Sequence, residues 1–142
     1  MPSTAPSTLA GELRVSSGRF IRRLRSEHGE ADLPDSQFGV LTALLRQGDL
    51  TPGALAQRER VKPPAMTRTV NCLEDLGLVE KVAHPTDGRL VLVRLTEKGE
   101  REVVETRRRR DAWLADKLHG LSAQDRAVLA RASELFLEIA SS

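Results

Sequence analysis

The chain has 142 residues, 39% of them hydrophobic and 30% charged, which bounds it to about one domain with a true core. Its 22 Lys and Arg against 20 Asp and Glu give a formal charge of only +2, which by itself does not indicate a polyanionic partner. Aromatic residues make up 3% and Tyr is absent, so stacking on single-stranded nucleic acid is not expected, whereas a duplex partner remains open.

The sequence is typical of a protein in a reducing compartment, and we expect it in the cytoplasm. Its single cysteine, Cys72, excludes an intramolecular disulfide and any zinc site built on several thiolates. No apolar run approaches the roughly 18 residues that would span a bilayer. The opening MPSTAPSTLAGEL also lacks a basic region followed by an apolar core, so we expect neither export nor a membrane partner.

Two helices are predicted in the first third of the chain. Apolar residues recur at helical spacing across residues 8–26 without an interior proline, which indicates a long helix. A second, shorter helix takes in residues 38–45, with Pro34 and Asp35 suited to its first turn and Gly48 to its end.

The next helix is predicted to be only two or three turns long. Thr51 followed by Pro52 is typical of an N-cap residue with proline at the first helical position. Beyond them, Leu55, Ala56 and Val61 supply a small apolar face, which we expect to point into the core.

The fourth predicted helix, residues 63–76, has an outer face that is unusually short and weakly charged for so charged a chain. Pro63 and Pro64 fit only its first turn, and Gly77 fits the position just past its end. At about 100° per residue, the helix divides into two faces. The inner face holds Met66, Val70, Leu73 and Gly77, and the outer face holds Pro64, Thr67, Arg68, Asn71 and Asp75.

The outer face carries the side chains that direct readout of double-stranded DNA requires. Arg68 is able to fork onto guanine, Asn71 to bracket adenine, and Thr67 to contact thymine or phosphate. In residues 57–68, basic side chains outnumber acidic ones by four to one; they are Arg58, Arg60, Lys62 and Arg68. Such a patch favours a polyanion, so the candidate DNA-binding residues include Lys62 and Pro64. An ordinary amphipathic helix with a sparse outer face is the alternative.

Beyond Gly77 the pattern changes from that of a helix to that of strands. Residues 78–83 and 90–95 are β-rich, and residues 84–89 between them form a loop with a proline and an Asp-Gly pair. We predict a β-hairpin with an extended tip. Arg89 at that tip would reach a neighbouring minor groove, since narrow A·T-rich grooves attract arginine. Asp-Gly-Arg is also ordinary turn chemistry, which leaves a purely structural interpretation open.

Two long helices complete the chain. Thr96 and Glu97 suit the start of one that runs to about Leu118 and ends before Gly120. Residues 122–125, SAQD, resemble a capping box that begins the last helix. The apolar stripe of that helix consists of Val128, Ala132, Leu135 and Ile139, widened by Leu129 and Phe136.

This order of elements predicts a mainly α chain with a small β-hairpin wing, an α+β fold class. Two short helices, a tight turn and a hairpin make up a winged helix-turn-helix, whose second helix enters the DNA major groove. The long flanking helices have more apolar surface than one such domain covers, so we expect a homodimer. A two-fold dimer presents two such helices about 10 base pairs apart, which predicts a near-palindromic operator.

The middle of the chain, residues 33–99, resembles the MarR family of winged helix-turn-helix transcriptional regulators. DSQFGVLTAL is similar to the family's second helix, LTPGALAQRERV to its third, and PPAMTRTVNCLEDLGLVEK to its recognition helix and the start of the wing. PTDGRLVLVRLTEKG is similar to the wing, with its Asp-x-Arg tip and the Leu-Thr-x-x-Gly that follows. These motifs in this order are specific to the family.

The resemblance implies one MarR-like domain over residues 1–142. Within it, residues 33–99 form the winged helix-turn-helix lobe that binds DNA. Residues 8–32 and 100–142 form a dimerisation lobe, in which the first helix joins the last two. The chain is therefore expected to act as a DNA-binding regulator, and as a repressor that a small-molecule effector releases. A winged-helix protein-interaction module that does not bind DNA is the alternative.

The resemblance also implies roles for individual residues. Thr67, Arg68 and Asn71 would read the major groove, and Arg89 would enter the minor groove. Asp87 would orient the wing through a salt bridge. These residues, with Lys62 and Pro64, are the candidate DNA-binding site.

Residues 107–110 are four consecutive arginines, which on a helix sweep about 300° and cannot all face solvent. The inward stripe of this helix is taken from Val103, Leu114 and Leu118. On that basis Arg107 and Arg110 lie on or beside the stripe. One interpretation is that they pair with acidic residues across a subunit interface or extend to water. The other is that one of them lines the cleft between the lobes and binds a small anionic aromatic effector, of the kind the family often senses.

No feature of the sequence predicts an enzyme, a metal site or a cofactor. His28, His84 and His119 lack ligand-like spacing. No Ser-His-Asp, paired-carboxylate or phosphate-cradling glycine pattern occurs. Cys72 is interpreted as a small, partly buried thiol rather than a redox sensor, because redox-sensing relatives carry their cysteine in the first helix.

Overall fold

The protein, a computed structural model that describes residues 3–142, consists of six α-helices and one antiparallel β-hairpin. The helices are α1 (Pro6–Arg25), α2 (Asp35–Gln47), α3 (Pro52–Glu59), α4 (Pro63–Asp75), α5 (Glu97–His119) and α6 (Ala123–Ala140). The strands are β1 (Val79–Ala83) and β2 (Val91–Leu95), which lie between α4 and α5 in the chain. This order confirms the predicted fold class.

Local signals in the sequence set most helix boundaries. The hydroxyls of Thr51, Thr96 and Ser122 each accept a hydrogen bond from the backbone N–H three residues later, at 3.0 to 3.1 Å. These bonds satisfy amides that a helix start leaves unpaired, so α3, α5 and α6 begin where predicted. Gly48 and Gly77 follow α2 and α4 with φ of 82° and 77°, values that glycine adopts without strain.

Two predictions about the first helices need correction. α1 begins at Pro6, two residues before the predicted start, because proline is favourable in the first turn of a helix. The predicted inward position of Val61 is wrong, since α3 ends at Glu59 and Arg60 takes a left-handed conformation with φ of 55°. That turn places Val61 outside the helix, with 39% of its surface exposed.

The core lies where α2, α3, α4, the hairpin and the start of α5 meet. Its buried residues are Val40, Leu41, Leu44, Leu55, Ala56, Met66, Val70, Leu73, Leu78, Val79, Val93 and Val103. All of them come from one continuous stretch of the chain, so the segment with α4 and the hairpin has a hydrophobic core of its own. Burial of these side chains is the main term that fixes α4 relative to the hairpin.

The hairpin is fixed to the helices at its base. All five residues of β1 pair with β2 in an antiparallel register. The connection between α2 and α3 adds a bridge in which Leu50 and Val93 exchange hydrogen bonds of 3.2 and 2.7 Å. Beside it, the Arg94 guanidinium donates two bonds to one carboxylate oxygen of Asp49, which raises the pKa of Arg94. The hairpin tip therefore projects from an anchored root.

Two arginines of α5 bind the segment that follows α1. Arg109 donates to the carbonyl oxygen of His28 at 3.0 Å, and Arg110 donates to that of Glu27 at 2.9 Å. The Arg110 guanidinium also lies 4.8 Å from the ring centre of Phe38, and desolvation there lowers its pKa. These contacts fasten the end of α1 to α5 within one subunit.

Of the two arginines predicted to lie on or beside the inward stripe of α5, Arg110 is partly buried there and Arg107 is not. Arg107 is exposed and makes no hydrogen bond or ion pair within residues 3–142, whereas Arg109 and Arg110 are half-buried. Val103 of the predicted stripe is fully buried, and α5 meets the end of α1 along and beside that stripe. On that side the Thr106 hydroxyl accepts a bond from the Gly29 N–H at 3.0 Å, and only 1% of Thr106 is exposed.

α6 packs little against the rest of the chain. None of its residues is buried, and the large residues of its predicted stripe are exposed, from 39% for Leu135 to 66% for Ile139. Further exposed apolar side chains on α1 and α5 are Val15, Phe20, Ile21 and Val104. The exposed apolar surface on α1, α5 and α6 marks an interaction site.

No helix within residues 3–142 combines the length and the apolar character needed to cross a membrane.

Candidate nucleic-acid interface

α4 presents the two faces that its sequence predicts, except that Gly77, predicted on the inner face, lies beyond the end of the helix and is exposed. Met66, Val70 and Leu73 are at most 2% exposed and pack into the core. The opposite side, here called the outer face of α4, is exposed and carries Pro64, Thr67, Arg68, Asn71 and Asp75. Because the buried side is close-packed against the core, the outer face is held rigidly at the surface.

The start of α4 is positive through a side chain rather than through backbone donors. Lys62 is the N-cap residue and makes no side-chain cap, and Pro63 and Pro64 occupy the next two positions. Proline has no N–H, so an anion at this end of the helix would meet the Lys62 ammonium and few free amides. Arg60, which is also exposed, lies just before it in the chain.

The polar groups of the outer face differ in their availability. The Thr67 hydroxyl donates to the carbonyl oxygen of Pro63 at 3.1 Å, and the Asn71 amide oxygen accepts a bond of 2.7 Å from Lys81. Arg68 makes no hydrogen bond or ion pair with any described residue, 3 to 142. Its guanidinium donors are therefore available to a ligand, as are the two N–H groups of the Asn71 amide.

The outer face borders a cavity of about 340 Å³ between α2 and α4. Arg68 and Cys72 line it from α4, one helical turn apart, and Ser36 and Gln37 line it from α2. Cys72 is exposed, so the predicted partial burial of its thiol is wrong. Its position one turn after Arg68 places it at the edge of the outer face and not against the core.

The hairpin tip holds its arginine in one orientation. One carboxylate oxygen of Asp87 accepts bonds from the backbone N–H and the Nε of Arg89, at 3.0 and 3.3 Å. The ion pair expected between these residues is therefore present. The Arg89 side chain is 91% exposed, so this contact sets its direction without burying it.

His84 supports the same tip, a role that the sequence analysis missed. Its Nδ1 accepts bonds from the backbone N–H groups of Thr86 and Asp87, at 3.2 and 3.1 Å. A ring nitrogen that accepts carries no proton, so in this arrangement the imidazole proton lies on Nε2. The only sequence signal for this role is a histidine placed two and three residues before the amides that it binds.

The basic patch extends beyond the segment in which the sequence places it. Arg46 of α2 lines a cavity of about 470 Å³ together with Arg58 and Arg60. Glu59 lines the same cavity, so this cluster combines three cations with one anion. Arg46 was missed because it belongs to a different helix, and only the packing of α2 against α3 brings it to the patch.

Lys81 is a further cation beside the outer face of α4. It lies on β1, and its Nζ is 2.7 Å from the Asn71 amide oxygen and 3.5 Å from a carboxylate oxygen of Glu74. This residue could not be found from the sequence, because the contact depends on how β1 lies against α4. The structure thus places the neutral Asn71 amide in a network with two charged side chains, Lys81 and Glu74.

A cavity of about 950 Å³ lies away from the outer face, between the end of α4, residues 30 and 31, and the first half of α5. Its lining is rich in acids: Glu30, Glu97, Glu100, Glu102 and Glu105. Neither Arg107 nor Arg110, the predicted effector-binding residues, lines it. Residues 3–142 contain no group of three or more His, Cys, Asp or Glu placed to hold a metal ion.

Known proteins resemble the chain in sequence and in fold. Residues 31–90 match a family model described as MarR family. The chain is 43% identical over 131 residues to an HTH-type transcriptional regulator of Mycobacterium tuberculosis, with 92% of each chain covered. A solved structure from Pseudomonas aeruginosa, described as a transcriptional regulator protein, is 33% identical with a TM-score of 0.86, covering 99% of both chains. A MarR family protein from Bacillus stearothermophilus is 29% identical with a TM-score of 0.77, covering 96% of this chain and 95% of that one.

Proposed function

The chain belongs to the MarR family of DNA-binding transcriptional regulators, and we propose that it represses transcription from a near-palindromic operator until a small-molecule effector releases it. The observation that carries this proposal is the outer face of α4, which is exposed, short in side chains and held by the same core as the hairpin with Arg89. We infer that it acts in the cytoplasm.

In this proposal α4 lies in the major groove with its outer face against the base edges. Arg68 donates to a guanine, because its donors are available, and Thr67 contacts thymine or phosphate. Asn71 reads a base one turn further along the helix. At the start of α4, Lys62 binds a phosphate, and the short Pro64 lets the backbone approach the groove.

The hairpin tip enters the neighbouring minor groove. Arg89 supplies the cation, and a narrow groove attracts it by its enhanced negative potential. Asp87 restrains the Arg89 side chain by its ion pair, which reduces the conformational entropy lost on binding. The anchored root of the hairpin keeps the distance between Arg89 and α4 constant, so both grooves are engaged together.

We infer that the chain acts as a homodimer through α1, α5 and α6. Residues 8–32 and 100–142 form the dimerisation lobe in this proposal, and residues 33–99 form the DNA-binding lobe. Support comes from the exposed apolar side chains of these helices, which a second copy would cover. Two-fold symmetry then sets two α4 helices about 10 base pairs apart on one side of the duplex.

Two relatives support the repressor and effector parts of the proposal. An HTH-type transcriptional repressor of Bacillus subtilis is 26% identical over 121 residues, covering 82% of this chain and 78% of that protein. A MepR-like protein, 30% identical with a TM-score of 0.57, was solved in complex with pseudoligands. For an anionic aromatic effector, Arg107 is the better candidate of the two predicted arginines, because Arg110 already binds Glu27 and Phe38.

Binding of the protein to duplex DNA from its own upstream promoter, measured by fluorescence anisotropy at several salt concentrations, tests the proposal. Affinity should fall steeply with salt, because bound Lys and Arg displace counterions from phosphates. Arg68→Ala and Arg89→Ala should each weaken binding by about tenfold or more. Arg131→Ala on α6 is the matched control. A protein-interaction module that does not bind DNA predicts equal behaviour of all three variants.

The effector part has a separate test. Small aromatic acids are screened for release of the protein from its operator, and each active acid is repeated with Arg107→Ala. A role for Arg107 predicts a higher acid concentration for half-release, with operator affinity unchanged when the acid is absent. Unchanged release by every active acid would remove Arg107 from the effector site.

A further inference from the structure

The contact between Lys81 and Asn71 restricts what Asn71 offers to DNA. The Lys81 ammonium is a donor only, so the Asn71 atom at 2.7 Å must be the amide oxygen. The amide nitrogen, with its two N–H groups, is then the end of Asn71 that is left for a base. Glu74, 3.5 Å from the same ammonium, keeps the cation at this position.

Adenine recognition by asparagine uses both ends of the amide. The oxygen accepts from adenine N6, and the nitrogen donates to adenine N7. In this structure the oxygen already accepts from Lys81, so a positive charge lies beside the atom that the adenine amino group would have to approach. Both effects act against adenine and against the amino group of cytosine.

Guanine suits the same arrangement. Its major-groove edge presents two acceptors, N7 and O6, and no donor. The N–H groups of Asn71 and the N–H groups of Lys81 that face neither Asn71 nor Glu74 together present donors to a base. The charge that repels an amino group attracts these acceptors.

We propose that Lys81 is a specificity-determining residue, which binds Asn71 so that the two side chains together recognise guanine rather than adenine. The proposal rests on the proposed function, since it requires α4 to lie in the major groove. It differs from a simple phosphate contact, because a lysine bound only to phosphate carries no sequence information. It also replaces the adenine contact that the sequence predicts for Asn71.

The test is a measurement of base preference over a library in which every position of the mapped operator is varied. Wild-type protein should prefer guanine at one position in each half-site. Lys81→Met should shift the guanine-to-adenine affinity ratio at that position towards adenine by about tenfold or more, because Asn71 regains its oxygen. Glu74→Gln removes the ion pair that helps to hold the Lys81 ammonium beside Asn71. It should therefore shift the guanine-to-adenine ratio at the same position towards adenine, but by less than Lys81→Met does.

Two further variants separate this role from others. Lys62→Met removes a cation beside the same helix without touching Asn71, and should weaken all operators equally while lowering the salt dependence. In an Asn71→Ala background, Lys81→Met should no longer move the preference towards adenine, since the amide is absent.

Each outcome has a distinct meaning. If Lys81→Met weakens every sequence equally, as Lys62→Met does, Lys81 is a phosphate contact and the inference is wrong, while the proposed function stands. If wild-type protein prefers adenine at the position that responds to Asn71→Ala, the inference is also wrong. If wild-type protein selects no duplex from the library, the proposed function fails, and this inference fails with it.

Discussion

A β carbon on Gly99 would overlap the backbone carbonyl oxygen of Leu78, which lies directly against the first turn of α5. The carbonyl has little freedom to move, because it accepts a bond from the Thr96 N–H at 3.2 Å. The same β carbon would stand 2.7 Å from a methyl carbon of Leu95. The glycine in Leu-Thr-x-x-Gly is thus required by close packing between the residue before β1 and the start of α5.

Gly99→Ala should destabilise the protein by about 1–3 kcal/mol, the usual cost of overpacking a close-packed site. Urea unfolding followed by circular dichroism measures this as a lower midpoint with an unchanged slope. Gly88→Ala is the matched control, because a β carbon there meets nothing within 4 Å. Equal stability of the two variants would contradict the packing argument.

The apolar stripe of α6 offers a test of the homodimer. Ile139→Glu places a charge on the stripe and should raise the dimer dissociation constant by roughly a hundredfold, because an unpaired charge is costly to bury. Size-exclusion chromatography with light scattering measures the change. Leu137→Glu is the control, since Leu137 is 69% exposed but lies on the opposite side of α6. Dissociation by both variants, or by neither, would contradict an interface formed by the stripe.

Arg110 and Arg107 should differ in their effect on stability. Arg110→Ala removes the hydrogen bond from the guanidinium to the Glu27 carbonyl oxygen and the contact with Phe38, and should cost about 1–3 kcal/mol. Arg107→Ala should stay within about 0.5 kcal/mol of wild type, as surface substitutions do. Thermal and urea unfolding of the two variants measure the difference. A large loss with Arg107→Ala would mean that this side chain has a structural partner, for instance in the second subunit.

Most element boundaries could be predicted because their causes lie within a few residues. Thr51, Thr96 and Ser122 cap helices by bonds to the third residue beyond, and Pro63 can stand only in a first turn. The two faces of α4 follow in the same way from its period. These features depend on local geometry, which any helix shares.

Contacts between elements could not be predicted. The helical periodicity of the sequence shows which residues share a face, but it does not show which other element packs against that face. The contact of Arg109 with the end of α1 could not be predicted, because the side of α5 that meets that segment depends on how the two helices pack. Lys81 was missed for the same reason, since its partner Asn71 lies on another element. The wrong prediction for Val61 has a local cause, the left-handed conformation of Arg60. Few residues other than glycine adopt that conformation.

The Asp87 carboxylate should contribute to DNA binding only through Arg89. Asp87→Ala frees the side chain of Arg89, and ordering it again on binding costs about 0.5–1.5 kcal/mol, a roughly two- to tenfold loss of operator affinity. Asp87→Asn keeps an accepting oxygen and should lose less. Asp87→Ala combined with Arg89→Ala should bind no more weakly than Arg89→Ala alone, a non-additivity that a double-mutant cycle measures. Additive losses would mean that Asp87 acts on its own.

The stability of the folded protein at acid pH should depend on the two arginines that bind the Glu105 carboxylate. Hydrogen bonds from Arg108 and then Arg109, each 2.8 Å at its shortest, lower the pKa of the Glu105 carboxyl from 4.5 to about 2. A carboxyl whose pKa is lower in the folded protein contributes stability that is complete above the unfolded value. This contribution is lost as the pH falls from about 4.5 towards 2.

Glu105→Gln should therefore reduce the unfolding free energy at pH 6 and flatten its decline between pH 4.5 and 2. Urea unfolding at a series of pH values measures both effects. The carboxylate reaches solvent, so 1 M salt should shrink the difference from wild type. Glu134→Gln, which removes an ion pair with the single arginine Arg131, is the control and should change the pH dependence less. Parallel pH profiles for wild type and Glu105→Gln would show that the two arginines do not hold this carboxylate in solution.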